Sequence, residues 1–267
     1  MALHIVCCVK QVPDPETPPS QFRVDEAQKK VIPAPGIAPV PSQFDPIGVE
    51  AALRVRDALG DVKISVISMG PESFRDAIKH CLAMGADEGY LIDDPALYEA
   101  DHWVTAQVLA QAIREKLSPF HLIITGRQAV DWDMGVVGPT IAEVLCLPCI
   151  TIVKSVQVVD GKVRAERVLL DGFETVEAPL PAVVTVSNEL GEPRYPQLRQ
   201  IMMAARKQVT VWKAADLGLD VAQLKNRVNL EALYVPQVKV ETEFIEGDTA
   251  DEKVEKLLQR LREAKLI

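Results

Sequence analysis

The stretch His121-Leu-Ile-Ile-Thr125-Gly126-Arg-Gln-Ala-Val-Asp131-Trp-Asp133-Met-Gly135-Val-Val-Gly138-Pro139 runs directly into Thr140-Ile-Ala-Glu-Val-Leu-Cys146. An apolar run, a turn carrying three glycines and two aspartates, and then a helical period is the order in which an α/β sheet builds a nucleotide crevice at its carboxyl edge. The glycines let main-chain N–H groups approach an anion. The first turn of the following helix offers unpaired donors at the positive end of its dipole. Asp131 or Asp133 is placed to cap that helix or to accept from a ribose or an adenine. An ordinary strand-to-helix turn with an aspartate cap fits the same residues.

Outward from this segment, strand and helix patterns alternate. Strands are expected at residues 5–9, 62–68, 89–92 and 122–125, and helices at 47–59, 71–84, 103–117 and after Gly138. Phe74, Ile78, Cys81 and Leu82 recur at helical spacing, as do Val104, Val108, Leu109 and Ile113. Such units in series predict an α/β fold: a doubly wound, mostly parallel sheet of the Rossmann-like, adenine-nucleotide-binding kind. Met69-Gly70-Pro71 repeats the logic of the nucleotide loop, with a glycine at a strand end and a proline at a first helical position.

Residues 13–43 are rich in proline and are expected to lack regular structure, covering a ligand or a partner. After Pro148 the pattern changes. Residues 151–159, the turn Asp160-Gly161 and residues 162–169 read as a β-hairpin insertion, and 174–177 add a strand. Leu180-Pro-Ala-Val-Val-Thr-Val186 is again a buried parallel strand. Beyond Leu219 the sequence turns polar, and residues 251–267 form an amphipathic helix with Val254, Leu257, Leu258 and Leu261 on one side. That helix is either a lid on its own core or a clasp on a partner, and the clasp is the reading adopted. The expected organisation is an α/β nucleotide-binding domain over 1–225 and a linker with a C-terminal helical arm over 226–267.

Composition narrows the function classes. A formal net charge of -9 argues against a nucleic-acid scaffold, which needs a basic face. No run of about 18 uncharged apolar residues appears, so membrane insertion is not expected. Met1-Ala-Leu-His-Ile5-Val-Cys-Cys-Val9 reads as a first strand rather than a secretory signal, and the expected compartment is cytoplasmic. The five cysteines (Cys7, Cys8, Cys81, Cys146 and Cys149) fit reduced thiols in a core. Cys146-Leu-Pro-Cys149 has the spacing of a redox or metal motif, but it has no second pair and no histidine near it, so no metal site is expected. A catalytic triad or a paired acid and base is not evident either.

Several segments in this order resemble the β subunit of electron transfer flavoprotein: Val9-Lys-Gln-Val-Pro-Asp14, Ala83-Met-Gly-Ala-Asp87, the 126–139 loop and Leu180-Pro-Ala-Val-Val-Thr-Val186. Glu192-Pro-Arg-Tyr195, Leu198-Arg-Gln-Ile-Met202 and Ala204-Ala-Arg-Lys207 extend the resemblance over nearly the whole chain. It implies a heterodimer in which an α subunit carries a redox-active FAD and this chain holds a structural AMP. The implied function is a carrier of electrons, not a stand-alone enzyme, from acyl-CoA dehydrogenases of fatty acid oxidation or related flavoenzymes to an acceptor such as a membrane quinone oxidoreductase. In electron-bifurcating members the same pocket takes a second FAD and NADH is the donor. A second alternative, from the residues alone, is an adenine-nucleotide sensor or binding module. The lack of a Ser-Gly-Gly-x-Asp loop after the first strand argues against that.

Carried onto this chain, the resemblance places the adenylate among Cys8, Ser42, Gln43, Phe44, Asp45, Met69 and the loop Gly126, Arg127, Gln128, Ala129, Val130, Asp131, Trp132, Asp133, Met134, Gly135, Val136 and Val137. Lys10 and Arg167 become candidates for steering charge near the flavin, with a surface salt bridge each as the plainer reading. The segment around Tyr195, Leu198, Ile201 and Met202 becomes the docking loop for the dehydrogenase, Leu198 being the anchor. Helical spacing alone fits equally a buried face of a short helix. The chain also departs from the family pattern. Ser42-Gln43 replaces Asn-Pro, and Val136-Val137 replaces a polar pair, so main-chain N–H groups beside Gly135 must carry the anion. Trp132-Asp-Met134 stands where bifurcating members carry Gly-Asp-Thr; an indole there either blocks an isoalloxazine or stacks on one, and AMP is the reading adopted. Val168 and Leu170 stand where the family tends to place acids.

Overall fold

The computed structural model describes residues 3–236 and 242–267, and these divide into two compact units, Met1–Leu233 and Tyr234–Ile267. In the first unit, β1 (Leu3–Cys8) is followed by short strands β2 (Gln11–Val12), β3 (Arg23–Asp25), β4 (Lys30–Ile32) and β5 (Val40–Pro41). Then come α1 (Phe44–Leu59), β6 (Val62–Met69), α2 (Arg75–Met84), β7 (Glu88–Ile92), α3 (His102–Lys116), β8 (Leu122–Gly126) and α4 (Val137–Leu145). The chain continues through β9 (Cys149–Val159), β10 (Lys162–Val168), β11 (Phe173–Pro179), β12 (Ala182–Val186), α5 (Leu198–Arg206) and β13 (Val209–Trp212). The second unit contains α6 (Ala250–Glu263).

Nine strands form one sheet in the order β11-β10-β9-β12-β8-β1-β6-β7-β13. From β9 to β13 every pairing is parallel, and only the pairings of β10 with β9 and with β11 are antiparallel. Parallel strands buried on both faces need apolar residues at every position, because alternate side chains enter opposite layers. Ile5, Cys7, Ile64, Val66, Ile124 and Val184 enter the layer shared with α1 and α2. Val6, Cys8, Ile67, Ile123 and Val183 enter the layer beneath α3, with Ile141 and Ala142 of α4. The doubly wound expectation holds.

Local differences from the sequence reading have identifiable causes. Helix α1 begins at Phe44 instead of residue 47, because Pro46 falls in its first turn, where a missing N–H costs nothing. The proline-rich insert is not devoid of regular structure. β2 pairs with β5 and β3 with β4, and residues 23–32, which form the β3–β4 hairpin, contain no proline. The prolines flank that hairpin and do not interrupt its ladder. The β9–β10 hairpin turns at Asp160 and Gly161, both with positive φ (50° and 73°), as a type I′ turn demands. Residues 174–177 lie within the longer β11. Cys7, Cys8 and Cys81 are core thiols as expected, but Cys146 and Cys149 are exposed, since they flank the bend between α4 and β9.

Within the second unit, Thr249 caps α6 by accepting from the Glu252 N–H at 3.2 Å, with Asp251 and Glu252 in the first turn and Arg260 and Arg262 in the last. Both ends therefore complement the helix dipole. Val254, Leu257 and Leu258 are exposed on this helix, and Leu261 is half-buried.

Candidate functional site

Strands β1 and β8 lie side by side, yet the chain leaves them in opposite directions: β1 leads through α1 to β6, and β8 leads through α4 to β9 on the far side of β12. Their carboxyl ends therefore open a crevice at the point where the strand order reverses, the place where open α/β sheets hold ligands. Cys8 closes β1 opposite Thr125 of β8, and Met69 closes β6 on the next position of the sheet. Burial pushes the Cys8 thiol up to about 12, so it serves as an apolar wall.

The two loops that border the crevice are stitched together. The Lys10 N–H donates to Asp45 Oδ2 at 2.7 Å, and the Ser42 N–H donates to the Lys10 carbonyl at 2.8 Å. Lys10 Nζ reaches Asp131 Oδ2 at 2.6 Å, and the Val130 N–H donates to Ser42 Oγ at 3.3 Å. Arg127 lies over the Phe44 ring at 5.5 Å and donates through its backbone to the Val186 carbonyl at 2.8 Å. A side chain at Gly126 would meet Asp45 Oδ1 at 2.6 Å and Phe44 Cβ at 2.7 Å, so only glycine lets β8 pass the start of α1. Gln43 faces outward while Phe44 and Asp45 point inward.

Asp45 is the buried charge of this junction. Burial raises its carboxyl to about 7, against the opposing effect of N–H bonds from Lys10 and Gly126 and the Lys10 charge. Asp131 adds a like charge that pushes in the same direction as burial.

Neither Asp131 nor Asp133 caps α4. Its N-cap is Val136, with no side-chain cap, because Asp131 is drawn to Lys10 and Asp133 accepts from Gln128 Nε2 at 2.8 Å. The first intrahelical bond is the one Thr140 donates to Val136 at 2.9 Å, so the Val137 and Gly138 N–H groups precede it. Gly135 has φ +65°, and Asp133 φ 50°, a conformation that turns successive N–H groups to one side. Gly138 seats this turn on the sheet: a Cβ there would meet Thr125 Oγ1 at 2.6 Å. Ala129 accepts from the Trp132 and Asp133 N–H groups, which closes the loop tip, and Trp132 and Met134 are each about half exposed (51% and 52%). About half of the Trp132 side chain thus lies in solvent.

Lys10 belongs to this assembly, but Arg167 does not. It stands on β10, four strand positions from β1, roughly 19 Å at the usual strand spacing, and pairs with Glu174 at 3.2 Å. Val168 and Leu170 border that pair, and Leu170 is fully exposed.

The segment ahead of β13 settles which way its helix faces. In α5 only Ala204 is buried, and the spacing that fitted a buried face in fact displays Leu198 (73% exposed), Ile201 and Met202 to solvent, with Tyr195 beside them at 88%. Met203 joins that surface, which the sequence reading missed because period gives a stripe but not its direction. The sequence reading assigned no role to Glu50 or Lys79, and it quoted Arg194 only within Glu192-Pro-Arg-Tyr195; the Glu50–Arg194 and Lys79–Ala204 partners lie far along the chain.

The crevice offers main-chain donors at a helix start, a glycine in the left-handed region, an aromatic side chain and a desolvated acid. Among the described residues no group of histidines, cysteines and acids is placed to hold a metal ion, and no helix is long and apolar enough to cross a membrane.

Residues 40–217, which include α1, the loop from β8 to α4 and α5, match the family described as electron transfer flavoprotein domain. The chain is 36% identical to an electron transfer flavoprotein subunit beta of Thermoanaerobacterium thermosaccharolyticum over 99% of its length and 100% of that protein. It is 37% identical to a subunit beta of Megasphaera elsdenii, over 83% of this chain and 82% of that one. It is also 33% identical to the caffeyl-CoA reductase-Etf complex subunit CarD of Acetobacterium woodii, over 99% of this chain and 100% of that one.

Proposed function

The chain belongs to the electron transfer flavoprotein family and is an electron-transfer subunit of the β type; from that premise we propose that it holds AMP in the crevice beyond β1 and β8 and pairs with an FAD-bearing α subunit. The observation that carries the AMP reading is the donor set. The first turn of α4 offers main-chain N–H groups of Val137 and Gly138, with no acidic residue in that turn to repel a phosphate. Val136 and Val137 contribute no polar side chain, so anion binding falls to the backbone, and Arg127 adds a positive charge at the mouth. Asp45, Lys10, Ser42 and Val130 hold the two loops at a fixed separation. The FAD of the α subunit supplies reversible uptake of electrons, and this chain shapes the surface on which that flavin's domain rests.

In this reading electrons enter from acyl-CoA dehydrogenases of fatty acid oxidation or similar flavoenzymes and leave to a quinone oxidoreductase. Leu198, with Tyr195, Ile201 and Met202, docks the donor: an exposed apolar side chain at a helix start has the form of a hot spot awaiting its pocket. The apolar side of α6 is a clasp on the α subunit. Arg167, on the hairpin, steers charge near the flavin, and Lys10 does so from the crevice rim. The setting is cytoplasmic, which the five unpaired cysteines support.

A second reading keeps the crevice and exchanges its occupant: FAD in place of AMP, with NADH as donor. The exposure of the Trp132 side chain, on which an isoalloxazine could stack, favours it. Anaerobic mixing separates the two. Under the first, an acyl-CoA dehydrogenase charged with its substrate reduces the flavin of the heterodimer and NADH does not. Reduction by NADH in a protein with two flavins would replace it with the second, and no reduction by either would refute both.

A further inference from the structure

A nine-residue helix with a single buried residue, Ala204, has little apolar contact to keep it on the protein. What holds α5 is charge at both ends. Ahead of it, Arg194 donates from Nε to Glu50 Oε2 at 2.8 Å, and from Nη2 both to Glu50 Oε1 at 3.2 Å and to Asp57 Oδ2 at 2.7 Å. Its backbone N–H adds a further bond to Glu50 at 3.2 Å. Glu50 is buried on α1 and is also held by Arg54 at 2.9 Å, which in turn donates to the Leu190 carbonyl at 2.9 Å. Burial would raise the Glu50 carboxyl, but the Arg194 and Arg54 hydrogen bonds bring it below its ordinary value, so it stays ionised.

At the other end, Lys79 of α2 donates to the carbonyls of Ala204 (3.0 Å) and Ala205 (3.1 Å), and also to that of Lys207. Ala204 and Ala205 lie in the last turn of α5, at the negative end of its dipole, and the Ala204 carbonyl also accepts the Lys207 N–H at 3.1 Å. Lys207 reciprocates by donating to Ala86 at 2.7 Å and Asp87 at 3.2 Å. Gln197 and Gln200 cap the start of the helix reciprocally. Between these attachments lie Leu198, Ile201, Met202 and Met203, all exposed.

We propose that Arg194 and Lys79 are positioning residues that hold α5 ordered in the free protein, so that its apolar face meets an electron donor without first having to fold. This rests on the reading of α5 as the docking surface. The physical gain lies in the ordering cost: a short isolated helix is marginal in water, and a segment ordered only on contact binds more weakly by that cost. Charged attachments suit the purpose because they leave the apolar side chains free for the partner. Attachment by burial would consume them.

The test uses the heterodimer with its α subunit, as wild type and as Lys79→Gln, Lys79→Arg, Arg194→Gln and Leu198→Ala. Amide hydrogen exchange is followed over residues 201–207, and reduction by an acyl-CoA dehydrogenase is measured against heterodimer concentration. Lys79→Gln and Arg194→Gln are expected to speed exchange in α5 by tenfold or more, with β1 and β8 as protected as before. Both are expected to raise KM for the heterodimer by about tenfold at constant kcat, and Lys79→Arg to recover most of the protection. Unchanged exchange in α5 for both glutamine variants would overturn the proposal. So would faster exchange with an unchanged KM, provided that Leu198→Ala raises KM. If Leu198→Ala also leaves KM unchanged, the docking reading itself fails, while the exchange result still decides whether these residues order the helix.

Discussion

In the crevice, two loops meet with no room for one added carbon at Gly126 or Gly138, and the Asp45 carboxylate between them is sealed from water. On α5, Leu198, Ile201, Met202 and Met203 face solvent, and the helix is kept in place by lysine and arginine at its ends. The first region is fixed by close packing, where space is the constraint. The second is fixed by polar attachment, where the exposed apolar surface is the point. Crevice substitutions should therefore register in stability and ligand retention, and substitutions on α5 in partner kinetics alone.

The sharpest extension of this contrast is α6, which also displays apolar side chains (Val254, Leu257 and Leu258) but caps itself through Thr249 and through pairs such as Lys256–Glu252 at 2.6 Å. A permanent partner is the cover such a surface calls for. Removing residues 250–267 is expected to abolish co-purification with the α subunit while far-ultraviolet circular dichroism of the remaining α/β unit persists. Normal pairing would leave α6 without the proposed role.

Asp45 probes the packed side. Its carboxyl ionises near 7 in the folded protein against an ordinary 3.8, so the unfolded chain releases the proton first. The folded state is then progressively disfavoured as pH rises from about 4 to about 7, and the loss is constant above that, on the order of a few kcal/mol. Asp45→Asn removes the slope. In urea unfolding, the stability of wild type relative to this variant is expected to be lower at pH 8 than at pH 5. Equal differences at the two pH values would mean that Asp45 titrates as an ordinary aspartate.

Gly126→Ala tests space directly. The new methyl meets Asp45 and Phe44, including Phe44 backbone carbon at 3.0 Å, and is expected to cost about 1–3 kcal/mol in denaturant unfolding. It should also release the nucleotide during purification. Leu198→Ala sits at the other pole: stability is expected to stay within about 0.5 kcal/mol of wild type, with kcat/KM for the reducing partner down about tenfold. A matching loss of stability in Leu198→Ala would erase the distinction between the two regions.

What the sequence made legible follows the same division. The apolar run before Gly126, the glycines of the loop and the helical period after Gly138 are local signals, and they located the crevice. The role of Asp131 is not local. Its partner, Lys10, lies in another loop that reaches it only through the strand order, so a cap was the natural reading and a salt bridge is the outcome. The period of α5 identified its apolar stripe, but whether a stripe faces a core or the solvent depends on what packs against it. Here α2 packs along the Ala204 side of α5, which leaves the larger apolar side chains in solvent. Lys79 carries no pattern, and the Glu50–Arg194 pair carries none either, because a charge on a helix or in a loop reads as solvated surface until its distant partner is known. The β3–β4 hairpin was hidden by its proline-rich flanks.

The most direct test is to denature the purified heterodimer and identify and count the nucleotides it releases by mass spectrometry. One AMP and one FAD per heterodimer is the expected result, the AMP accounted for by the crevice beyond β1 and β8. Two FAD without AMP, a releasable ATP, or no adenylate beyond a single FAD would contradict it.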